Sequence, residues 1–209
     1  MNKNMAEEFF CAYCGVRNCA KKLGQEGDYP SSCPSLRPEL EGYLEEYKDP
    51  ETLKLAQAAA ISSMDHTESR VQQTVRFARN CGFTKLGIAF CISLADTAGI
   101  LARYLREQGF TVESVICKVG HYDRKCIGVE DTREIPMCNP IAQAEYLNGV
   151  GTELNLIVGL CVGHDALFSH YSHSPVVTLI AKDHAFHNAP ELFLQQWAQK
   201  EKAAHRKKS

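Results

Sequence analysis

Residues 85–119 read KLGIAFCISLADTAGILARYLREQGFTVESVICKV, and the architecture follows from them. The run from Lys85 to Cys91 is short and apolar on both sides, which suits a parallel strand buried on both faces. Ser93, with Asp96 three residues on, is a candidate helix cap. Leu94, Ala98, Leu101 and Leu105 recur at helical spacing, and Gly109 closes that helix. Residues 110–119 form the next strand. The connection is long enough for a right-handed crossover between parallel strands.

The same alternation continues downstream. A polar stretch, GHYDRKCIGVEDTREIPM (120–137), reads as a loop or lid. Asn139-Pro140 gives a helix cap with a first-turn proline, and Ile141, Ala144 and Leu147 follow on that helix. LNLIVGLC (154–161) is a third strand, Gly163-His164-Asp165 opens a short helix, VVTLIAK (176–182) is a fourth strand, and Pro190 starts a last helix carrying Leu192, Phe193 and Trp197. Upstream, ETLKLAQAAAISSM (51–64) is rich in helix formers. A second helix is expected from Thr67, with Val71, Val75 and Ala78 on one face and Gly82 at its end. The order of elements implies an α/β fold. Its sheet is mostly parallel, of about four or more strands, Rossmann-like in layering, with helices on both faces. A small Cys-rich metal-binding segment over residues 1–48 precedes the α/β domain of residues 49–209.

The chain has 209 residues, 44% of them hydrophobic, with 23 Lys+Arg against 25 Asp+Glu and a formal net charge of -2. That is the make-up of an ordinary globular protein, and the absence of a basic excess argues against a nucleic-acid partner. The basic end, KEKAAHRKKS, reads as a solvated helix end. The opening MNKNMAEEFF has no long apolar core of the signal-peptide kind. No stretch approaches the roughly 20 apolar residues of a membrane helix. A cytoplasmic location is therefore expected, where closely spaced cysteines favour metal or redox chemistry over structural disulfides.

Ten cysteines are present, and four of them, Cys11, Cys14, Cys19 and Cys33, read C-x2-C-x4-C-x13-C. A two-residue gap lets neighbouring thiolates turn onto one ion, and Gly15 frees the backbone for that turn. Four thiolates suit tetrahedral Zn2+ or a 4Fe–4S cluster. A bound metal would also stabilise a segment that has little apolar surface to bury.

Four more cysteines lie far apart in sequence. Cys91 and Cys161 each end an apolar strand, Cys117 lies near the end of another, and Cys138 stands just before a helix. In an open α/β sheet, ligands bind outside the carboxyl ends of the strands, so Cys91, Cys117, Cys138 and Cys161 are the candidate cofactor-binding residues. Adjacent parallel strands are about 4.8 Å apart, so cysteines on two flanking strands stand nearly 10 Å apart at the backbone. Sulfurs on one zinc are only about 3.8 Å apart. A second cluster, or a subset of the four on one metal, fits such a fan; burial as small hydrophobes is the competing reading. In Cys161-Val162-Gly163-His164-Asp165 a strand meets a helix N-terminus, which favours a thiolate at Cys161. Cys161 as nucleophile or ligand and His164 as acid or base are the candidate catalytic pair, with Asp165 as cap or orienting group. No Gly-rich phosphate loop follows the first strand, and no G-x-S-x-G elbow is present. Cys81 reads as a helix-end core residue and Cys126 as a loop thiol; neither joins a site.

Two resemblances add to this reading. CAYCGVRNCAKKLGQEGDYPSSCP (11–34) resembles the small iron–sulfur domain of corrinoid iron–sulfur proteins: C-x2-C-G-x3-C, a short helix-like piece, then Cys-Pro, here with a shorter last gap. GIAFCISLADTA, ICKVG, MCNPIAQAEYLN, LNLIVGLCVGHDALF and PVVTLIAKD, with the leading cysteines, resemble an uncharacterised cysteine-rich, metal-binding family of anaerobic bacteria and archaea, a domain of unknown function. That resemblance implies that Cys91, Cys117, Cys138, Cys161, His164 and Asp165 belong to recurrent motifs. It implies no reaction.

The functional expectation is a metal-binding protein with zinc or 4Fe–4S at the N-terminal quartet and a candidate second cysteine site at the carboxyl edge of the sheet, in redox or electron-transfer chemistry. Its partner would be a redox protein or a small molecule. The alternatives are a thiol- or metal-dependent enzyme on a small molecule through Cys161 and His164, and a zinc-stapled protein-interaction module.

Overall fold

The computed structural model describes residues 11–25, 27–130 and 132–206. The leading MNKNMAEEFF and the last three residues of the basic end lie outside the described residues. The chain divides into two compact units, Met1–Gln57 and Ala58–Ser209.

In the first unit, three short 3-10 turns, Cys11–Tyr13, Asn18–Ala20 and Pro34–Leu36, lead into a longer 3-10 stretch, Pro38–Lys48. Prolines at 30, 34 and 38 remove backbone donors and fix φ, which favours turns over regular helix. Among the described residues from 11 to 57, Asn18 and Cys33 are buried and every other one is at least partly exposed. Leu36, Leu40, Tyr43, Leu44 and Tyr47 all face solvent.

The second unit holds the sheet: β1 (Lys85–Phe90), β2 (Thr111–Ile116), β3 (Leu154–Val158) and β4 (Val176–Ile180). Their order is β2-β1-β3-β4 and every pairing is parallel. The helices are α1 (Pro50–Ser62), which runs across the division between the units, α2 (Arg70–Asn80), α3 (Ala95–Glu107), α4 (Pro140–Gly149), α5 (His164–Tyr171) and α6 (Glu191–Arg206).

Strand alternation sorts the core into two layers. Leu86, Ile88, Val112, Leu154, Leu156 and Val158 pack with Val75 and Ala78 of α2 and Ala98, Leu101 and Leu105 of α3. Ala89, Val115 and Ile157 point to the other face and meet Ala144 and Leu147 of α4 and Phe168 of α5. The expected α/β sheet with helices on both faces is therefore what the chain builds. β3 is buried along its whole length and β1 along all but its end residues Lys85 and Phe90; Leu154, Leu156 and Val158 are 0% exposed.

Local signals explain most element ends. Ser69 and Gln72 form a reciprocal capping box at α2. Asn139 Oδ1 accepts from the Ala142 amide at 3.0 Å, with Pro140 opening α4. Gly82 and Gly109 close their helices at φ of 69° and 94°. Gly87 is required for another reason. A Cβ there would collide with the Asn155 side chain, which is fully buried and spans Thr152 and Ser172 by hydrogen bonds of 2.7 and 2.9 Å.

Two expectations fail. The helix expected from Thr67 starts at Arg70 behind the Ser69 cap, and Thr67 turns onto Asp65 instead. Ser93 does not cap α3; residues Ile92–Leu94 form a 3-10 turn and α3 starts at Ala95 without a side-chain cap. The Ser93 hydroxyl is engaged at the strand edge instead, with consequences described next. No helix among the described residues is long and apolar enough to cross a membrane.

Candidate functional site

The strand order places a topological switch between β1 and β3. From β1 the chain crosses to β2 on one side and later returns to β3 on the other. Chain connections diverge there, and in open α/β sheets ligands bind outside the carboxyl ends of the strands at such a point. Cys91 is the first residue after β1 and donates its amide to Val158 O of β3 at 3.1 Å. Cys117 follows β2, with its amide on Phe90 O at 2.9 Å. Cys161 lies three residues past the end of β3. Cys138 is carried in by the loop before α4, where Asn139 N donates to Cys117 O at 2.8 Å. Four thiols separated by up to 70 positions thus reach one edge of the sheet.

They interact there in two ways. Cys91 neighbours Cys161 and raises its thiol, and Cys138 neighbours Cys117 and raises its thiol in the same sense. The charges of Cys91 and Cys138 bear on both Cys117 and Cys161. Cys91 and Cys117 are buried, 4% and 2% exposed, while Cys138 and Cys161 are half-buried.

The group that organises the cluster is Lys182, two residues beyond β4. Its ammonium Nζ donates to Cys91 Sγ at 2.7 Å and to Ser93 Oγ at 2.7 Å. Ser93 Oγ in turn donates to Cys91 Sγ at 3.4 Å. Burial pushes the Cys91 thiol up, but the Lys182 ammonium and the Ser93 hydroxyl and amide outweigh it and bring the thiol down to about 7. The site therefore holds a thiolate–ammonium pair near neutrality. Lys182 is itself shifted: burial pushes it down, and the Cys91 hydrogen bond and the neighbouring thiolates bring it above its ordinary value.

Cys117 and Cys161 are shifted the other way. Burial pushes Cys117 up to about 12, with Cys138 and Cys91 adding to the shift, against an N–H···S bond from Ile92 at 3.5 Å. Burial also raises Cys161, reinforced by Cys91 and Cys138 and opposed by Lys182. The expected thiolate at the head of α5 is thus at Cys91 instead; the helix end cannot match a direct ammonium contact. His164 is pulled down, first by burial and then by Lys118, with Arg124 and Lys182 in the same sense and Asp165 opposed. A neutral imidazole results. Asp165 is not the N-cap of α5, which is Gly163 without a side-chain cap; it lies in the first turn, its Oδ1 accepting from Gly163 N at 3.0 Å and Ala166 N at 2.9 Å.

Gln143 braces the site from α4. It is 0% exposed, and its Nε2 donates to Val115 O at 2.8 Å and Phe90 O at 3.3 Å. Those carbonyls belong to the last turns of backbone before Cys117 and Cys91. Lys182, Ser93 and Gln143 went unread as site residues in the sequence. Lys182 carried one usable signal: it follows the fourth strand, at the same edge as the cysteines.

The N-terminal quartet is arranged differently. Cys11 and Cys19 are exposed, Cys14 is half-buried and Cys33 is 7% exposed. Cys14 N donates to Cys11 O at 3.1 Å, and Arg17 N donates to Cys14 Sγ at 3.4 Å. Among the described residues, no three His, Cys, Asp or Glu side chains stand in the arrangement that one metal ion requires. Cys81 is a buried helix-end residue and Cys126 an exposed loop thiol, and both stand apart from the cluster.

Comparison with known proteins adds kinship. An uncharacterized protein of Methanocaldococcus jannaschii is 44% identical over 145 residues, 67% of this chain and 75% of that protein. No solved structure matches the chain. A family described as "Protein of unknown function (DUF1847)" matches residues 33–179, a span that takes in Cys33 and all four sheet-edge cysteines and stops short of Lys182. The chain belongs to that family.

Proposed function

We propose that this protein performs thiol redox chemistry on a small molecule at the carboxyl edge of its sheet, through the Cys91–Cys161 pair. The observation that carries the reading is the 2.7 Å contact between Lys182 Nζ and Cys91 Sγ. A buried thiol without such a partner is inert. One held as a thiolate beside a second thiol is equipped for exchange. Cys161 is half-buried beside Cys91 at the same sheet edge, and the neutral His164, whose amide donates to Cys161 O at 2.9 Å, can take up a proton. Cys117 and Cys138 form a second pair whose high-lying thiol keeps it in reserve at neutral pH.

The test is a redox titration. The full chain is equilibrated in dithiol/disulfide buffers of graded potential, quenched in acid, alkylated and mapped. A reversible two-electron couple assigned to Cys91–Cys161 supports the reading. A pair that stays reduced at every poise, with disulfides confined to Cys11, Cys14, Cys19 and Cys33, contradicts it.

A second reading concerns the N-terminal quartet, as a zinc or 4Fe–4S site that staples the first unit. The observation in its favour is the thin interior: residues 11–57 bury only Asn18 and Cys33 among those described, too little to hold a unit of that length by packing. Cys11, Cys14, Cys19 and Cys33 would hold the ion, which would have to draw their side chains together. Such a metal would contribute folding free energy. Protein purified without oxygen would contain stoichiometric zinc, or iron and sulfide with a brown absorption shoulder; metal-free protein with an unaltered first unit contradicts the staple.

A further inference from the structure

We infer that Cys91 and Lys182 form a modification site: hydrogen peroxide oxidises the Cys91 sulfur, and Lys182 then closes on it as a sulfenamide, a covalent S–N link across the sheet edge. The inference rests on the thiol reading for the reactive Cys91 sulfur, and adds a regulating oxidant and a bond in which Cys161 has no part. Three contacts carry it. Lys182 Nζ lies 2.7 Å from Cys91 Sγ and 2.7 Å from Ser93 Oγ, and Ser93 Oγ lies 3.4 Å from Cys91 Sγ. An amine, a hydroxyl and a sulfur thus form a closed triangle. In the sheet β3 stands between β1 and β4, so the lysine stem reaches across a strand to complete it.

Proximity selects the bond. Reacting atoms held within about 3–3.5 Å of each other are already placed for attack, and Nζ and Sγ are inside that range. A sulfenic acid condenses with a nearby nitrogen to a sulfenamide. The covering selects the oxidant. Cys91 is 4% exposed, with Lys182 half-buried and Ser93 exposed beside it, so a reagent must be small to reach the sulfur, and hydrogen peroxide is little larger than water. An ammonium cannot attack sulfur, but the peroxide step itself removes its proton. Leaving hydroxide takes that proton from Lys182, with the Ser93 hydroxyl in contact with both the nitrogen and the sulfur. The free amine therefore appears at the moment the sulfur becomes electrophilic.

The chemistry balances with peroxide as the sole oxidant. The Cys91 thiolate attacks one oxygen of HO–OH, an S–O bond forms and the O–O bond breaks. The other oxygen leaves as water with the Lys182 proton. Lys182 Nζ then attacks Cys91 Sγ, the S–N bond forms and the S–O bond breaks. The departing hydroxide takes one proton from the nitrogen and leaves as a second water. The sulfur is oxidised by two electrons, and one peroxide is reduced to two waters. A thiol reverses the link: its sulfur attacks Cys91 Sγ, the S–N bond breaks, and the nitrogen recovers a proton. A second thiol then frees Cys91 from the mixed disulfide.

The test gives the reduced full chain equimolar hydrogen peroxide at neutral pH without oxygen. Samples are quenched in a time series, alkylated, cut with trypsin and mapped. The expected first product joins the Cys91 and Lys182 peptides, two hydrogens lighter than their sum, with no cleavage after Lys182. Dithiothreitol should return both peptides. Cys161→Ser should still form the link, and Cys126→Ser should leave its rate unchanged. Lys182→Met should lose the link, react with peroxide at least about tenfold more slowly at Cys91, and pass on to sulfinic acid in excess peroxide. In the natural sequence, three results overturn the inference: an oxidised Cys91 with ordinary cleavage after Lys182, a Cys91–Cys161 disulfide as the first product, or a Cys91 that peroxide leaves untouched. None of the three removes the Cys91–Cys161 couple of the redox titration. A Cys91–Lys182 link in a protein that shows no such couple upholds the inference and overturns the thiol-exchange reading.

Discussion

The two cysteine-bearing regions of this chain contrast in how their thiols come together. In the first unit, four cysteines fall within 23 residues, on short 3-10 turns, and three of them retain solvent exposure. At the sheet edge, four cysteines drawn from three strand ends and one loop are brought together, and one of them, Cys91, meets the Lys182 ammonium at 2.7 Å. Closeness along the chain does not by itself orient side chains. A fixed sheet does, because each strand end is held by its ladder to within hydrogen-bond precision. The difference teaches that topology, more than spacing, makes the better-defined site in this protein.

The largest test of that contrast lies in packing. Leu156 sits in the central strand at 0% exposure and Leu44 in the first unit at 66%. Leu156→Ala should destabilise the sheet unit by about 2–5 kcal/mol, whereas Leu44→Ala should cost less than about 0.5 kcal/mol. Denaturant unfolding, followed by a probe in each unit, measures both. Equal costs would erase the distinction between a packed unit and a thinly packed one.

A smaller effect should appear with pH. The folded pKa of Cys91, about 7, lies below its unfolded value. Its contribution is therefore fully present above the unfolded pKa, near pH 9, and is lost as pH falls through 7. The span is on the order of 2 kcal/mol. Cys117 has the opposite sign. Raised to about 12, it contributes below its unfolded pKa and loses that contribution as pH rises beyond about 9. Stability of the sheet unit should climb from about pH 7 to about pH 9 and then decline. Cys91→Ser should flatten the climb in urea midpoints. The first unit should yield the smallest effect: Lys48 and Glu45 form an exposed ion pair, and Lys48→Ala should shift its unfolding by less than about 0.5 kcal/mol.

Much of the architecture was readable from residues. Apolar runs over 85–91, 110–119, 154–161 and 176–182 marked four parallel strands, each ending one to three residues earlier in the structure, at Phe90, Ile116, Val158 and Ile180, and Gly82, Gly109 and Asn139 marked helix ends. These signals are local, and the tertiary structure did not override them. The site was readable in part. Cys91 and Cys161 were legible because strand ends share an edge. Lys182 was not, because a lysine after a strand ordinarily reads as a solvated group. Ser93 misled for a related reason: its hydroxyl suits a helix cap, but the Cys91 thiolate and Lys182 compete for it and win. The thiolate itself was sought at Cys161, where a helix end was expected to favour it. The charge settled at Cys91 because a lysine from a distant strand reaches that sulfur.

The most direct measurement is the ultraviolet thiolate absorbance of the reduced protein as a function of pH, taken as the difference between the natural sequence and Cys91→Ser. One thiolate titrating near pH 7, and moving upward by at least about one unit in Lys182→Met, is the expected result. A Cys91 signal that titrates in the ordinary thiol range, near pH 8.5 to 9, and ignores the loss of Lys182 would contradict a thiolate–ammonium pair at the sheet edge.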